Sequence, residues 1–444
     1  MTAATLATSA TKPVVTRPTL RLCTAGSVDD GKSTFVGRLL HDTTSILTDQ
    51  YESVERISTA KGLHNPDLSL LVDGLRAERE QGITIDVAYR YFATDKRSFI
   101  LADTPGHVQY TRNTVTGLST SELVIILVDA RHGVLEQTRR HLTIAAMMQL
   151  PHVVVAVNKI DAVGYSKEVY TNVSADIHEL AEHLGLAHLD VVPTSALLGD
   201  NVVERSPKTP WYAGPSVLEI LEEAELGVEE THRNDGLRLP IQIVIRDHGT
   251  DYRGYAGRIA AGSVRVGDTV RAAGLPAIIE GIDGPAGPQQ QATVGESVTV
   301  RLDRDIDASR GDVISATDAP QPTTSFTATV FHLSETPLKV GGNAYVRYGS
   351  ATVRGRVESI TNRVDISGRN RPEQDIAHGE VNELALNDIA TVTIVTAEPL
   401  PIEHYRPGGR VGALLLIHPS TGDTITAGLI GDQPEVTDGE DWNF

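Results

Sequence analysis

From Leu20 to about Glu225, short apolar runs alternate with longer stretches of helical period. Residues 20–25, 98–102, 123–129, 153–158 and 190–193 read as strands, and residues 32–41, 135–148 and 167–184 as helices. Runs such as Val-Ile-Ile-Leu-Val and Val-Val-Val-Ala-Val are apolar throughout, the pattern of parallel strands covered on both faces. The alternation predicts a doubly wound, mostly parallel α/β domain over residues 20–236, with its ligand at the carboxyl ends of the strands.

Beyond Asp235-Gly236 the period changes. Residues 239–245, 255–260, 269–272, 297–302, 325–331, 344–348, 351–360 and 390–397 are short and β-like, and turns rich in Gly, Pro, Asp and Asn separate them. That spacing predicts two small β-barrels, over 237–322 and 323–431, with the junction at residues 318–322. Residues 1–19 read as a disordered tail without the apolar core of a signal peptide, and residues 432–444 as an acidic tail.

Composition narrows the partners. The 444 residues carry 39 basic and 58 acidic side chains, a formal charge of −19, which opposes a phosphate-tracking role on nucleic acid. No apolar run approaches the ~18–20 residues that span a bilayer. The single cysteine, Cys23, forms no internal disulfide and supports no cysteine zinc site. The reading is a cytoplasmic protein with no membrane and no nucleic-acid partner.

The chemistry starts at Gly26. Gly26, Ser27, Val28, Asp29, Asp30, Gly31, Lys32 and Ser33 fit G-x-x-x-x-G-K-[ST], followed by Thr34, between a predicted strand and a predicted helix. Glycines let backbone N–H groups curl around a β-phosphate at a helix N-terminus. Lys32 would bridge the β- and γ-phosphates, and the Ser33 hydroxyl would ligate Mg²⁺. Asp103, Thr104, Pro105, Gly106 and His107 close the strand at 98–102. There a carboxylate can hold Mg²⁺ through water while a glycine N–H senses the γ-phosphate. Between the two lies Gly82-Ile83-Thr84-Ile85, where Thr84 would offer Mg²⁺ a second hydroxyl.

Asn158, Lys159, Ile160 and Asp161 follow the strand at 153–158. A carboxylate at Asp161 can accept from both N1–H and the exocyclic amine of guanine, a pair that adenine lacks. Asn158 can contact the opposite edge, and the Lys159 stem can cover the ring. Ser195, Ala196 and Leu197, after the next strand, would offer a backbone N–H to the guanine oxygen. The ligand is therefore expected to be GTP. His178 and His183 suggest a zinc helix, but five residues is about 500° of rotation, so the two do not share a face.

Together these motifs resemble the translation-factor class of GTPases: phosphate loop, G-I-T-I, D-T-P-G-H and N-K-I-D, then two β-barrels. Gly26-Ser-Val-Asp-Asp-Gly-Lys-Ser, Gly37-Arg-Leu-Leu and residues 102–113 resemble more closely the large GTPase subunits of bacterial heterodimeric sulfate adenylyltransferases. The resemblance spans about 20–430. It implies a P-loop GTPase domain followed by two barrels, with His107 positioning the hydrolytic water past Val28 and Ile83, and Lys32 stabilising charge. It also implies that Asp29 helps hold a monovalent cation. The implied partner is a small catalytic adenylyltransferase subunit that binds ATP and sulfate, and the implied activity couples GTP hydrolysis to adenylylsulfate formation in sulfate assimilation. Gln81 stands where relatives often carry Arg. The alternative within the class is an elongation factor that delivers aminoacyl-tRNA.

Overall fold

The computed structural model describes residues 19–46, 48–60, 62, 66–72, 86–107, 111–186, 188–224, 232, 234–247, 249, 252–364 and 381–431. The expectations for Gln81, Ile83, Thr84 and both tails beyond these bounds lie outside the described residues.

The first domain is a six-stranded sheet of β1 (Leu20–Gly26), β2 (Ala88–Ala93), β3 (Ser98–Asp103), β4 (Leu123–Asp129), β5 (His152–Asn158) and β6 (Leu189–Pro193). The order is β2-β3-β1-β4-β5-β6. All neighbours run parallel except β2, which pairs antiparallel with β3. Its helices are α1 (Lys32–Asp42), α2 (Thr48–Ala60), α3 (Thr111–Leu118), α4 (Glu136–Met147), α5 (Lys167–His183) and α6 (Val217–Glu223). All seven residues of β4 are buried. Alternate β4 side chains feed opposite cores: Val124, Ile126 and Val128 one, Leu123, Ile125 and Leu127 the other. Each such side chain contributes about 1.5–3 kcal/mol on burial, which is why the central strands lack polar alternation.

The second domain orders its strands Arg238–Pro240, Val313–Ser315, Thr269–Ala272, Leu275–Gly284, Ser297–Leu302, Tyr252–Arg258, Ile243–Asp247. The run expected as one strand over 239–245 is two. At the break Ile241 N donates to Asp312 O at 2.9 Å and Gln242 N to Ala256 O at 2.8 Å, so the chain changes partner. Ala260 N also donates to Arg238 O at 2.7 Å, which brings the start of this sheet back to its far side around one apolar core. The third domain is a closed barrel of Thr323–His332, Ile389–Leu400, Ala351–Val364, Asn343–Tyr348, Ala413–Ile417 and Thr424–Ile430. Closure removes exposed edges.

The domains are tied by specific contacts. Arg238 makes two hydrogen bonds to Glu403, at 2.6 and 2.9 Å, across the second and third domains. Phe331, Ile389 and Leu429 of the barrel join the core that contains Val115 and Leu118 of α3.

Candidate functional site

The residues of the phosphate loop, the Asp103–His107 loop, Asn158–Asp161 and Ser195–Leu197 sit at the carboxyl end of a strand of the first sheet or just beyond it, the edge where open α/β sheets hold ligands.

Between β1 and α1 the chain must turn tightly. Gly31 takes φ 90°. A Cβ there would lie 2.5 Å from Asn158 Nδ2, so both conformation and space demand glycine. Ser27 N donates to Asp30 Oδ2 at 2.6 Å inside the loop. Burial raises the Asp30 carboxyl, opposed by that hydrogen bond and by Lys32. Lys32 is 8% exposed, and its ammonium donates to Gly26 O at 3.0 Å and Ser27 O at 3.1 Å, inside the cradle. Burial draws this amine below its usual range, while Asp103, Asp30 and Asp29 pull the other way. Ser33 and Thr34 follow in the first turn of α1, both half-buried; Val28 and Asp29 are exposed on the loop.

Asp103 ends β3 fully buried, its Oδ1 accepting from Thr24 Oγ1 at 2.8 Å. Thr104 Oγ1 donates to Thr24 O at 2.7 Å, so this loop is pinned to β1. Pro105 and Gly106 are buried, and His107 is half-buried beside them. A Cβ on Gly106 would lie 2.4 Å from Lys32 Nζ and 2.7 Å from Gly26 O. The two loops thus close on each other, and Lys32 lies between them.

At the far end, Asn158 is 2% exposed. Its Nδ2 donates to Asp30 O at 2.8 Å, and its Oδ1 accepts from Ala196 N at 2.9 Å. One side chain therefore ties the phosphate loop to Ser195-Ala196-Leu197. Lys159 takes φ 61°, and its ammonium meets Asp129 Oδ2 at 2.9 Å and the Asp29 carbonyl. Ile160 is fully buried with its N–H on Thr194 O at 3.1 Å, leaving Asp161 half-buried on the turn. Ser195 and Ala196 are buried and Leu197 is exposed.

Several supporting residues carry no motif. Asp129, at the end of β4, receives Arg131 Nε at 3.0 Å and Nη2 at 2.6 Å as well as Lys159. Burial alone would raise this carboxyl, but the bonds from Arg131 and Lys159 outweigh it and hold it well below the usual range. Arg38 on α1 donates to Ala196 O at 3.1 Å and Leu197 O at 2.6 Å. Gln137 on α4 reaches Gly106 O at 3.4 Å. Asp129 was legible as an acid closing a buried strand and Arg38 lies in the Gly37-Arg-Leu-Leu stretch, whereas Gln137 had no such signal. His178 and His183 lie on α5 with ring nitrogens beside the carbonyls of Ser174 and Glu179, at 2.6 and 2.8 Å.

A glycine loop opening a helix, a buried lysine in its cradle and an Asp-Thr-Pro-Gly-His loop closing over it, with two further loops at the next strand ends, define a P-loop GTPase of translation-factor type. Residues 17–229 match the family "Elongation factor Tu GTP binding domain", and residues 325–431 match "GTP-eEF1A C-terminal domain-like". The chain is 46% identical over 418 residues to the "Bifunctional enzyme CysN/CysC" of Mycobacterium tuberculosis (strain CDC 1551 / Oshkosh), covering 93% of this chain and 67% of that protein. It is 43% identical over 419 residues to "Sulfate adenylyltransferase subunit 1" of Cellvibrio japonicus (strain Ueda107), covering 93% of this chain and 87% of that protein. A solved structure of sup35 complexed with GDP is similar over 95% of both chains, at a TM-score of 0.41 and 22% identity. The chain belongs to the sulfate adenylyltransferase subunit 1 family. Among the described residues, no helix is long and apolar enough to cross a membrane.

Proposed function

We propose that this chain binds and hydrolyses GTP as one subunit of a cytoplasmic ATP sulfurylase, and that hydrolysis drives formation of adenylylsulfate and pyrophosphate from ATP and sulfate. The partner is a small catalytic subunit that binds ATP and sulfate. The observation that carries this reading is the closure of the 103–107 loop on Lys32, with Gly106 against the ammonium, in a chain 43–46% identical to relatives named for sulfate activation.

In this reading Gly26, Ser27, Val28, Asp29, Asp30, Gly31, Lys32, Ser33 and Thr34 wrap the phosphates, with backbone N–H groups and the start of α1 facing the charge. Lys32, dehydrated and held by two carbonyls, exchanges them for the β- and γ-phosphate oxygens. The Ser33 hydroxyl, in the first turn of α1, and the Asp103 carboxylate, at the end of β3, are hard oxygen donors. They suit Mg²⁺, which when bound neutralises charge developing on the phosphates; Thr84 supplies the further hydroxyl. Thr104, Pro105 and Gly106 set the loop that detects the γ-phosphate, and His107 orients the attacking water. Asp161 reads the guanine edge, Lys159 covers the ring, and the Ala196 region faces the guanine oxygen, with Asn158, Ile160, Ser195 and Leu197 shaping that end.

Adenylylsulfate is a charge-dense mixed anhydride, so its synthesis from a weak nucleophile needs a coupled source of free energy. An elongation-factor role shares the domain order but meets a surface of charge −19. The test is to mix the chain with its second subunit, ATP and sulfate, with and without GTP. Adenylylsulfate should rise with GTP, and His107→Ala should remove the rise. No stimulation by GTP would overturn the reading.

A further inference from the structure

A cavity of about 1760 Å³ lies where the three domains meet, and no residue of the nucleotide loops lines it. It exceeds the ~300–1,000 Å³ typical of small-molecule sites. Its charge runs against that of the chain. Arg21 and Arg112 enter from the first domain, Arg258 and Arg310 from the second, and Arg347 and Arg410 from the third. Three carboxylates, Glu122, Glu335 and Asp423, and no lysine join them, whereas the whole chain carries 58 acids against 39 bases. Arg112, Arg347 and Arg410 form no ion pair among the described residues, and Arg21 meets Glu122 through its backbone N–H at 3.0 Å. Guanidinium groups gathered this way repel one another until carboxylates or phosphates meet their forked donors.

The wall on the first-domain side is a sheet face that ends at the edge strand β2. Among the described residues β2 pairs only with β3 and is the edge strand of the sheet, the position at which an added strand would pair. Tyr89 and Tyr91, two apart and hence on one face, line the cavity at 45% and 70% exposure. Tyrosine and arginine are the residues that anchor protein interfaces. This wall also continues the nucleotide site. Ala88 of β2 is in register with Asp103, and α3, which carries Arg112, begins four residues after His107.

We propose that this cavity is the dock for an acidic segment of the second subunit, laid along β2 with its carboxylates on the arginines. The assignment rests on the two-subunit reading above. A segment there touches β2, whose Ala88 is in register with Asp103, and α3, which follows the Asp103–His107 loop, so it brings the partner near the loop that answers to GTP. A continuous phosphate chain is disfavoured by the three carboxylates and the overall charge.

The test uses the full chain and its co-expressed second subunit. Hydrogen exchange at the amides of residues 88–93 should slow on complex formation. The double variant Arg347→Glu/Arg410→Glu should lose at least about tenfold in affinity for the subunit, while Arg347→Lys/Arg410→Lys retains most of it. GTP affinity of the free charge-reversed chain should be unchanged, which shows that it folds. If the wild-type chain binds the subunit but residues 88–93 stay unprotected and the reversed variant binds equally well, the dock is refuted and the functional reading stands. If the reversal instead abolishes salt-sensitive RNA binding and leaves the complex intact, the dock is refuted in favour of a nucleic acid. If the wild-type chain binds no second subunit and GTP stimulates no adenylylsulfate, both readings fall.

Discussion

The Asn158 amide donates to the Asp30 carbonyl at 2.8 Å, joining the end of β5 to the phosphate loop. Its Oδ1, on the Ala196 N–H, extends the join to the loop after β6. Both partners are buried, so removing the side chain strands an N–H and a carbonyl, at about 1–3 kcal/mol. Asn158→Ala should weaken GTP and GDP alike, by about ten- to hundredfold, because the tie shapes the cradle and does not discriminate the γ-phosphate. Titration with fluorescent guanine nucleotides measures this; a loss confined to GTP would show that the tie acts on the γ-phosphate instead.

A second relay sits behind the histidine loop. Arg140, 4% exposed, donates to Gln137 Oε1 at 2.6 Å and to Glu136 Oε1 at 2.8 Å, and Gln137 in turn reaches the Gly106 carbonyl. The Gly106–His107 peptide is thereby aimed by α4. Gln137 is a positioning residue in this account. Gln137→Leu should lower kcat for GTP hydrolysis about three- to tenfold, the equivalent of one hydrogen bond, with KM changed less than about twofold. Steady-state kinetics separates the two; a rise in KM at constant kcat would assign Gln137 to ground-state binding.

His141, on the same helix, is buried, and its Nδ1 has no hydrogen-bond partner among the described residues. Burial, then the nearby Lys32 and Arg140 charges, draws its pKa down to about 3. Because the folded value lies below the unfolded one, the native state resists a proton that the unfolded chain accepts. Stability is intact above pH ~6.5 and falls as pH drops towards 3, by up to about 1.4 kcal/mol per unit from this group. His141→Leu should flatten that part of the curve of unfolding free energy against pH. An unchanged slope would remove His141 as its source.

The sheet and the loops at its strand ends were readable in the sequence where burial is complete. The run at 123–129 is β4 to the residue, because both its faces are covered and nothing polar interrupts it. β2 went unread: at the sheet edge its tyrosines face outward, and Ala-Tyr-Arg-Tyr-Phe-Ala shows no apolar run. The helices α2, α3 and α6 were missed as well, two of them being only seven or eight residues long. In the site, motif spacing located every described loop but not what holds them. Asn158 was expected to contact the base edge; what the sequence did not report is that its amide and carbonyl also tie Asp30 to Ala196. Arg38 and Gln137 act across 158 and 31 positions of sequence, a separation that local pattern cannot report.

Calorimetric titration of the purified chain with GTP, and separately with ATP, in the presence of Mg²⁺ bears on all of this most directly. The account predicts one site that binds GTP at least about a thousandfold more tightly than ATP, since an unmatched buried polar edge discriminates strongly. Equal affinity for the two nucleotides, or no heat with GTP, would contradict it.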